Sequence, residues 1–140
     1  MTRLSARVAL ALLGPSFGGC GSGLRMAPIG GHPANASPPV IVDSPPPSAK
    51  IEHVPPDPGP ACAWLDGHWE WASETWEWTP GAWLAVEEGC HFALPEAVWV
   101  PSEGRGLLFY LSGQWYRDKD GGKCGNPRVC RAAASEARVP

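Results

Sequence analysis

One stretch of this 140-residue chain sets its architecture: residues 62–83 read C-A-W-L-D-G-H-W-E-W-A-S-E-T-W-E-W-T-P-G-A-W. The pattern W-x-x-G-x-W occurs in it twice, at residues 64–69 and again at residues 78–83. A third copy at residues 110–115 begins with Tyr110 in place of tryptophan. Aromatic residues favour strands and glycine favours tight turns, so this pattern is typical of β-hairpins. The sequence therefore predicts an all-β fold, a small Trp-rich antiparallel hairpin or meander domain.

The glycine of each copy predicts a turn. The Asp-Gly pair that ends at Gly67 is a strong two-residue hairpin loop, because glycine accepts a positive φ and aspartate tolerates it. Trp64 would then lie opposite Trp69, in a pair whose side chains approach closely. We expect Gly113 to form the same kind of turn, and Gly81, which follows a proline, to form a longer and looser one.

A near-palindrome, W-E-W-A-S-E-T-W-E-W, joins the first two copies at residues 69–78. It predicts a hairpin with residues 72–75 as its loop, and the alternation of a strand then places six indoles on one face of a four-strand meander. Together with the aromatic residues of the third copy they form the candidate binding face. Its members are Trp64, Trp69, Trp71, Trp76, Trp78, Trp83, Tyr110 and Trp115.

The first twenty residues have the layout of an export signal. Arg3 and Arg7 precede an apolar run at residues 8–13, and small residues then lead to Cys20. This small-small-Cys ending resembles the lipobox of bacterial lipoproteins, which implies cleavage after residue 19 and acylation of Cys20 as the lipid anchor. Gly21 and Ser22, directly after the cysteine, carry no acidic retention signal, so the outer membrane is the expected destination.

Residues 20–60 predict a linker. Eleven of the seventeen prolines lie in residues 21–60, and no aromatic residue does. Such a composition favours a disordered, extended tether, although part of it would also suit docking on an aromatic surface. The expected organisation is a signal peptide at 1–19, lipidated cysteine and linker at 20–60, a disulfide-containing β domain at 61–131 and a tail at 132–140.

The tryptophan repeats, the proline-rich stretch and the export signal together resemble the bacterial WXXGXW (YXWGXW) repeat lipoproteins. The resemblance covers residues 50–85 and, more loosely, residues 98–116. It implies location in the cell envelope and a repeat architecture, but it implies no activity.

Cysteine number predicts two disulfides. If Cys20 is acylated, four cysteines remain in an exported chain, and they allow three connectivities. The compact Gly/Pro loop between Cys124 and Cys130 favours that pair, which leaves Cys62 with Cys90. The second bond requires either that the sheet curls or that residues 87–90 cross back over one face. The edges of a flat four-strand meander are about 14 Å apart, whereas a disulfide needs Cα atoms within about 7 Å.

The sequence indicates no catalytic function. No nucleophile motif, phosphate loop or cofactor motif is present, so we expect a protein that is not an enzyme and has no cofactor or metal. On the polar face of the meander His68, Glu70 and Glu77 would lie together; a metal site or a carboxylate pair would use them, but a solvated face explains them more simply. A net charge of −3 makes nucleic acid an unexpected partner.

Three interpretations of the candidate binding face stay open. The indoles form a core, or they stack on glycans of the cell envelope, or they capture Pro-rich chain from residues 44–60 or from another envelope protein. Each is compatible with a membrane-anchored envelope lipoprotein of structural or binding role. The expected partners are the membrane, through the N-terminal lipid, and an envelope polysaccharide or protein.

Overall fold

A computed structural model describes residues 23–102, 104 and 106–131. The signal peptide, Cys20 and the tail at 132–140 lie outside the described residues. The all-β prediction is confirmed, because the described residues contain eleven strands and no helix. The strands are β1 (Ile29–Gly30), β2 (Val40–Val42), β3 (Ala63–Leu65), β4 (His68–Ala72), β5 (Thr75–Thr79), β6 (Ala82–Ala85), β7 (Cys90–Ala93), β8 (Glu96–Val100), β9 (Leu107–Leu111), β10 (Gln114–Arg117) and β11 (Arg128–Val129).

Residues 63–85 form one long antiparallel hairpin, which we call hairpin one. Strand β3 pairs with β6 and β4 pairs with β5 in a single register, which places Trp64 opposite Trp83 and Trp69 opposite Trp78. The ladder is interrupted at residues 66–67 in one arm and at residues 80–81 in the other, and we call this interruption the bend of hairpin one. It contains the glycines of the first two motif copies. At the tip, Ser73 and Glu74 have φ values of 48° and 61°. Two consecutive positive φ values define a turn whose twist matches that of its strands.

Residues 90–117 form a second hairpin, hairpin two, which repeats this plan. Strand β7 pairs with β10 and β8 pairs with β9, again in one register, with Phe92 opposite Trp115 and Ala97 opposite Tyr110. The ladder is interrupted at residues 94–95 in one arm and at residues 112–113 in the other. The third motif copy therefore occupies one arm of hairpin two.

Short flanking strands widen both hairpins into three-stranded sheets. Strand β1 pairs in parallel with β7, β2 pairs antiparallel with β9, and β11 pairs antiparallel with β6. The resulting sheet orders are β1-β7-β10, β2-β9-β8 and β11-β6-β3, while β4 and β5 remain a two-stranded ribbon. The main core lies between the hairpins, where Leu65, Leu84, Phe92 and Trp115 are buried together.

The four-strand meander is wrong, whereas its central hairpin is confirmed. Trp71 lies opposite Trp76 as expected, but Ala72 already pairs with Thr75, so the loop has two residues instead of four. Strand β3 does not turn back on β4. The reason is that pairing β3 with β6 continues the β4–β5 ladder and buries its aromatic pair, which outweighs the local preference for an Asp-Gly turn.

The three glycines that we expected in hairpin turns therefore do not lie in them. Gly67 and Gly81 lie at the bend of hairpin one, and Gly113 lies at the bend of hairpin two. Positive φ angles among the described glycines occur elsewhere, at Gly59, Gly89, Gly104 and Gly121. What restricts the motif glycines is space: a Cβ on Gly81 would lie 2.5 Å from a ring carbon of Trp64.

The favoured disulfide pairing is also wrong. The bonds are Cys62–Cys130 and Cys90–Cys124, with Cα separations of 6.3 and 6.4 Å. The amide of Cys130 donates to Trp83 O at 2.7 Å, so β11 carries this cysteine along β6 to the base of hairpin one. The amide of Cys124 donates in the same way to the base of hairpin two. Long-range strand pairing, which loop length does not reveal, selects the partners.

The two disulfides indicate an oxidising compartment outside the cytoplasm. Within the described part of the chain, no helix is long and apolar enough to cross a membrane.

Residues 23–60, expected as a free tether, lie against the domain. Strands β1 and β2 belong to this segment, and Met26 forms a parallel bridge with Trp64. Ala27 and Val42 are buried at 4% exposure each, in the cores of the two sheet systems that they border. Proline stops most of the segment from forming ladders, but it leaves the carbonyl groups free to accept hydrogen bonds.

Candidate functional site

The candidate binding face divides into buried and half-buried aromatic residues. Trp64, Trp83, Trp115 and Tyr110 belong to the core, and Trp64 and Tyr110 each expose only 2% of their surface. The four indoles of the β4–β5 ribbon are half-buried. The eight members therefore do not form one open platform. They form a core that continues into a partly covered surface.

Cross-strand aromatic pairs order this surface. The ring centroids of Trp69 and Trp78 are 5.2 Å apart, and those of Trp71 and Trp76 are 5.0 Å apart, both in edge-to-face geometry. Tyr110 of hairpin two meets Trp76 edge-on at 4.9 Å. Such pairs contribute about 0.5–1.5 kcal/mol each beyond the burial of their area. They fix the indole rings and thereby the directions of the indole N–H groups.

Residues 43–57, which we call the strap, cross this surface as an extended chain. Three indole N–H groups donate to main-chain carbonyl oxygens of the strap, and a fourth donates to a carboxylate. The carbonyl pairs are Trp76 Nε1 to Ser44 O at 3.2 Å, Trp69 Nε1 to Ser48 O at 3.1 Å and Trp83 Nε1 to Pro55 O at 3.0 Å. The ammonium group of Lys50 lies 5.0 and 5.6 Å from the ring centroids of Trp69 and Trp78, within cation–π distance.

The carboxylate of Glu52 fastens the strap to the bend of hairpin one. It accepts from the amide of Gly67 at 2.9 Å, from the amide of Gly81 at 3.0 and 3.1 Å, and from Trp78 Nε1 at 3.1 Å. Partial burial opposes ionisation of Glu52, but these N–H donors and the nearby His68 lower its pKa below the ordinary value. One carboxylate thus satisfies the two amides that the bend removes from the strand ladder.

A second carboxylate fastens the bend of hairpin two. Glu70 accepts from the hydroxyl of Tyr110 at 2.7 Å and from the amide of Gly113 at 3.0 Å. Burial works against its ionisation, yet the hydrogen bonds from His68, Tyr110 and Gly113 lower the pKa of Glu70. Burial and the same carboxylate raise the pKa of Tyr110 strongly. The pair Glu70 and Glu77 is opposed on the ribbon as expected, but only Glu70 has these contacts.

The second and third motif copies share one geometry. In each, the first aromatic residue and the glycine three positions later donate to the same carboxylate: Trp78 and Gly81 to Glu52, Tyr110 and Gly113 to Glu70. Tyrosine can replace tryptophan at the first position because both carry a polar hydrogen at the edge of the ring. In these two copies, the segment from the aromatic residue to the glycine is therefore a carboxylate clip, made of one side-chain donor and one main-chain donor. The first copy differs, because Trp64 Nε1 donates to Asp66 at 2.6 Å and only the amide of Gly67 donates to Glu52.

His68 completes the clip of hairpin two. Its Nε2 lies 3.3 Å from a carboxylate oxygen of Glu70, and its Nδ1 lies 3.2 Å from the carbonyl oxygen of Asp66. Both neighbours can only accept hydrogen bonds, so the arrangement favours the protonated ring, in which both nitrogens donate. Burial opposes this charge, but the hydrogen bonds to Glu70 and Asp66 raise the pKa of His68 above its ordinary value.

A cleft of about 410 Å³ lies between the two hairpins. Leu84, Phe92 and Trp115 contribute apolar lining, and His68 and Glu70 contribute polar lining. Because His68 and Glu70 bind each other and the main-chain groups of Asp66 and Gly113, they offer no uncommitted charge to a ligand. Among the described residues, no cluster of three or more His, Cys, Asp or Glu could hold a metal ion.

Sequence reasoning left open that Pro-rich chain from residues 44–60 docks on the candidate binding face, and the strap lies there. It did not single out the strap carbonyls, Lys50 or Glu52 as the partners of the indoles. The signal that would have pointed to them is the third motif copy, in which Tyr110 keeps a ring-edge donor. Comparisons with protein-family models, with curated proteins and with solved structures give no match for this chain. The geometry of the clips therefore carries the functional argument.

Proposed function

We propose that this protein is an exported lipoprotein of the bacterial cell envelope, anchored by acylated Cys20, with a structural or binding role and no catalytic one. The signal-like residues 1–19 and the cysteine that follows support the anchor. The two disulfides support export, since they require an oxidising compartment. We extend the proposal to the outer membrane as the destination, because neither of the two residues directly after Cys20, Gly21 and Ser22, is acidic.

The docking of residues 23–60 changes where the domain would sit. Met26 already pairs with Trp64, so only six steps of chain separate Cys20 from the first bridge. An extended chain spans at most about 3.6 Å per residue, which gives a reach of roughly 20 Å. A fully extended forty-residue tether would have reached on the order of 100 Å. An acylated protein would therefore hold its β domain close to the bilayer surface.

Replacement of the anchor tests this proposal. Cys20→Ala should move the protein from the membrane fraction to the soluble fraction and abolish its labelling by fatty acid. Ser22→Ala, two residues away, should leave both properties unchanged. Unchanged partitioning of the Cys20→Ala protein would remove the lipoprotein proposal.

The structural role is carried by one observation, the coverage of the indoles. Trp64, Trp83 and Trp115 are core residues, and the half-buried indoles Trp69, Trp76 and Trp78 have their N–H groups bound to the strap. Because Trp99 is 61% exposed, emission is recorded from a Trp99→Phe chain, where it should be blue-shifted and poorly quenched by acrylamide. Protection of the emission by an envelope glycan, measured with and without the glycan, would contradict this role and favour the stacking surface.

Capture of Pro-rich chain is a second candidate function. The observation that favours it is the strap itself, because a Pro-rich chain already occupies the aromatic face in the way that a peptide ligand occupies a groove.

A further inference from the structure

We infer that the aromatic face of hairpin one is a recognition site for an extended, Pro-rich chain that carries one glutamate carboxylate, and that the strap at residues 43–57 is its built-in ligand. This inference rests on the second candidate function above and names its ligand class. It does not depend on acylation of Cys20.

The strap is held as peptide ligands are held, through its main chain and one anchoring side chain, Glu52. Ser44, Ser48 and Pro55 contribute only carbonyl oxygens to the indole donors. The side chain of Ile51, the bulkiest aliphatic residue of the strap, is fully exposed, and only Val54 packs against the core. A core segment would be held by buried side chains instead. Most strap positions therefore tolerate other residues, provided that the chain stays extended.

Proline suits this mode of recognition. The site offers N–H donors, namely indole groups and glycine amides, and the strap supplies acceptors. A Pro-rich chain adopts an extended conformation without internal hydrogen bonds, so its carbonyl groups are available and few of its own N–H groups compete for them. Its rigidity also reduces the entropy that is lost on docking.

The carboxylate supplies the specificity. Both oxygens of Glu52 face N–H donors only: one faces Trp78 and Gly81, and the other faces Gly67 and Gly81. A glutamine at this position would turn its own NH₂ group towards one of these donors and leave that donor unpaired. None of the donors can reverse its role. The site therefore discriminates a glutamate from its closest isostere.

The donors belong to the hairpin and not to the strap. Gly67 and Gly81 lie at the bend of hairpin one, where the strand ladder is interrupted, so their amides need an acceptor from outside the ladder. Either the strap or another chain can supply this acceptor. The strap holds its own carboxylate near the site at an effective concentration in the millimolar range, which excludes a weak competitor. A peptide in solution should bind only when the contact of Glu52 with these amides is weakened.

Peptide titration of the full chain tests the inference. The titrated protein is the Glu52→Gln variant, in which the strap is held less tightly because its carboxylate is removed. The probe is a synthetic peptide of residues 43–57 with the native glutamate. A second peptide carries glutamine at the same position. We expect the native peptide to bind about tenfold or more tightly than the glutamine peptide, as measured by calorimetry and Trp emission. The control is the chain with Glu77→Gln, whose intact strap should exclude both peptides.

Three outcomes would overturn the inference. Equal affinity of the two peptides would show that the carboxylate is not recognised. A folded Glu52→Gln chain that binds neither peptide would show that the strap is a fixed part of the fold. Loss of the fold in that variant, judged by circular dichroism, would show the same. Failure of the lipoprotein proposal would appear instead in the fractionation of Cys20→Ala, which leaves these titrations unaffected.

Discussion

Removal of the carboxylate of Glu70 should destabilise the fold far more than removal of its cross-strand neighbour. Glu70 and Glu77 lie directly opposite each other on the β4–β5 ribbon, so Glu→Ala at either position changes strand propensity equally. Only Glu70 holds the bend of hairpin two, through Gly113 and Tyr110. The pair is thus an internal control for the clip.

The expected magnitude follows from the hydrogen bonds. A hydrogen bond to a charged group contributes about 1.5–3 kcal/mol net. Glu70→Ala removes three such contacts, with Gly113, Tyr110 and His68. The Tyr110 hydroxyl keeps a contact with Trp69 O at 3.1 Å and His68 keeps its contact with Asp66 O at 3.2 Å, so the amide of Gly113 is the group left without a partner. We therefore expect a loss of about 2–3 kcal/mol of unfolding free energy for Glu70→Ala, with the exposed Glu77→Ala within about 0.5 kcal/mol of the parent.

Urea denaturation, followed by Trp emission, measures both losses. A lower midpoint with an unchanged slope would report stability alone, without a change in the compactness of the unfolded chain. Equal losses for the two variants, or a larger loss for Glu77→Ala, would refute the role of Glu70 as the carboxylate of the second clip.

Three further predictions concern the same framework. Peptide mapping without reduction should link Cys62 to Cys130, and a bond from Cys62 to any other cysteine would contradict the fold. Replacing both cysteines by alanine should lower the unfolding free energy by about 4 kcal/mol, as the chain-entropy relation gives for a separation of 68 residues. The pKa of His68 is raised above 6.5 in the folded protein, so its contribution to stability is complete below about pH 6.5 and is lost as the pH rises through the folded pKa. When the unfolding free energy is measured against pH, a His68→Gln variant should lack this loss. Gly81→Ala should lower the melting temperature, because its Cβ would lie 2.5 Å from a buried indole carbon, whereas Gly125→Ala, which meets nothing within 4 Å, should not; equal shifts would contradict the crowding at the bend.

The local part of the fold could be predicted from sequence, and the long-range part could not. The palindrome around Trp71 and Trp76 specifies its own hairpin, because both strands and the loop lie within a few residues. The partner of Trp64 is a different matter. A turn at Gly67 would place it opposite Trp69, and a continued arm places it opposite Trp83, and the spacing of the motif allows both. The acceptor that favours the second arrangement is Glu52, which lies outside the motif.

The disulfide pairing and the individual contacts of the strap escaped prediction for the same reason, although docking of residues 44–60 on the aromatic residues was among the interpretations left open. Cys130 reaches Cys62 through the pairing of β11 with β6, and neither short strand has a periodic pattern that identifies its partner. The strap has the composition of a disordered linker, and its docking depends on donors that become available only when hairpin one has folded. Composition describes the strap alone, whereas the contacts belong to the pair of surfaces.

The two clips suggest how such hairpins are joined in series. The bend of hairpin two takes its carboxylate from Glu70, which lies in hairpin one, the unit before it in the chain. The bend of hairpin one takes its carboxylate from Glu52, which lies in the strap. The strap therefore occupies the place of a preceding hairpin. Hairpin two departs from the plan in one arm, where Pro95 stands at the bend and has no amide to donate, so its clip holds the carboxylate with one glycine amide instead of two. Hairpin one, with both amides and an acceptor supplied by an exposed segment, is accordingly the clip at which a carboxylate from another chain would compete.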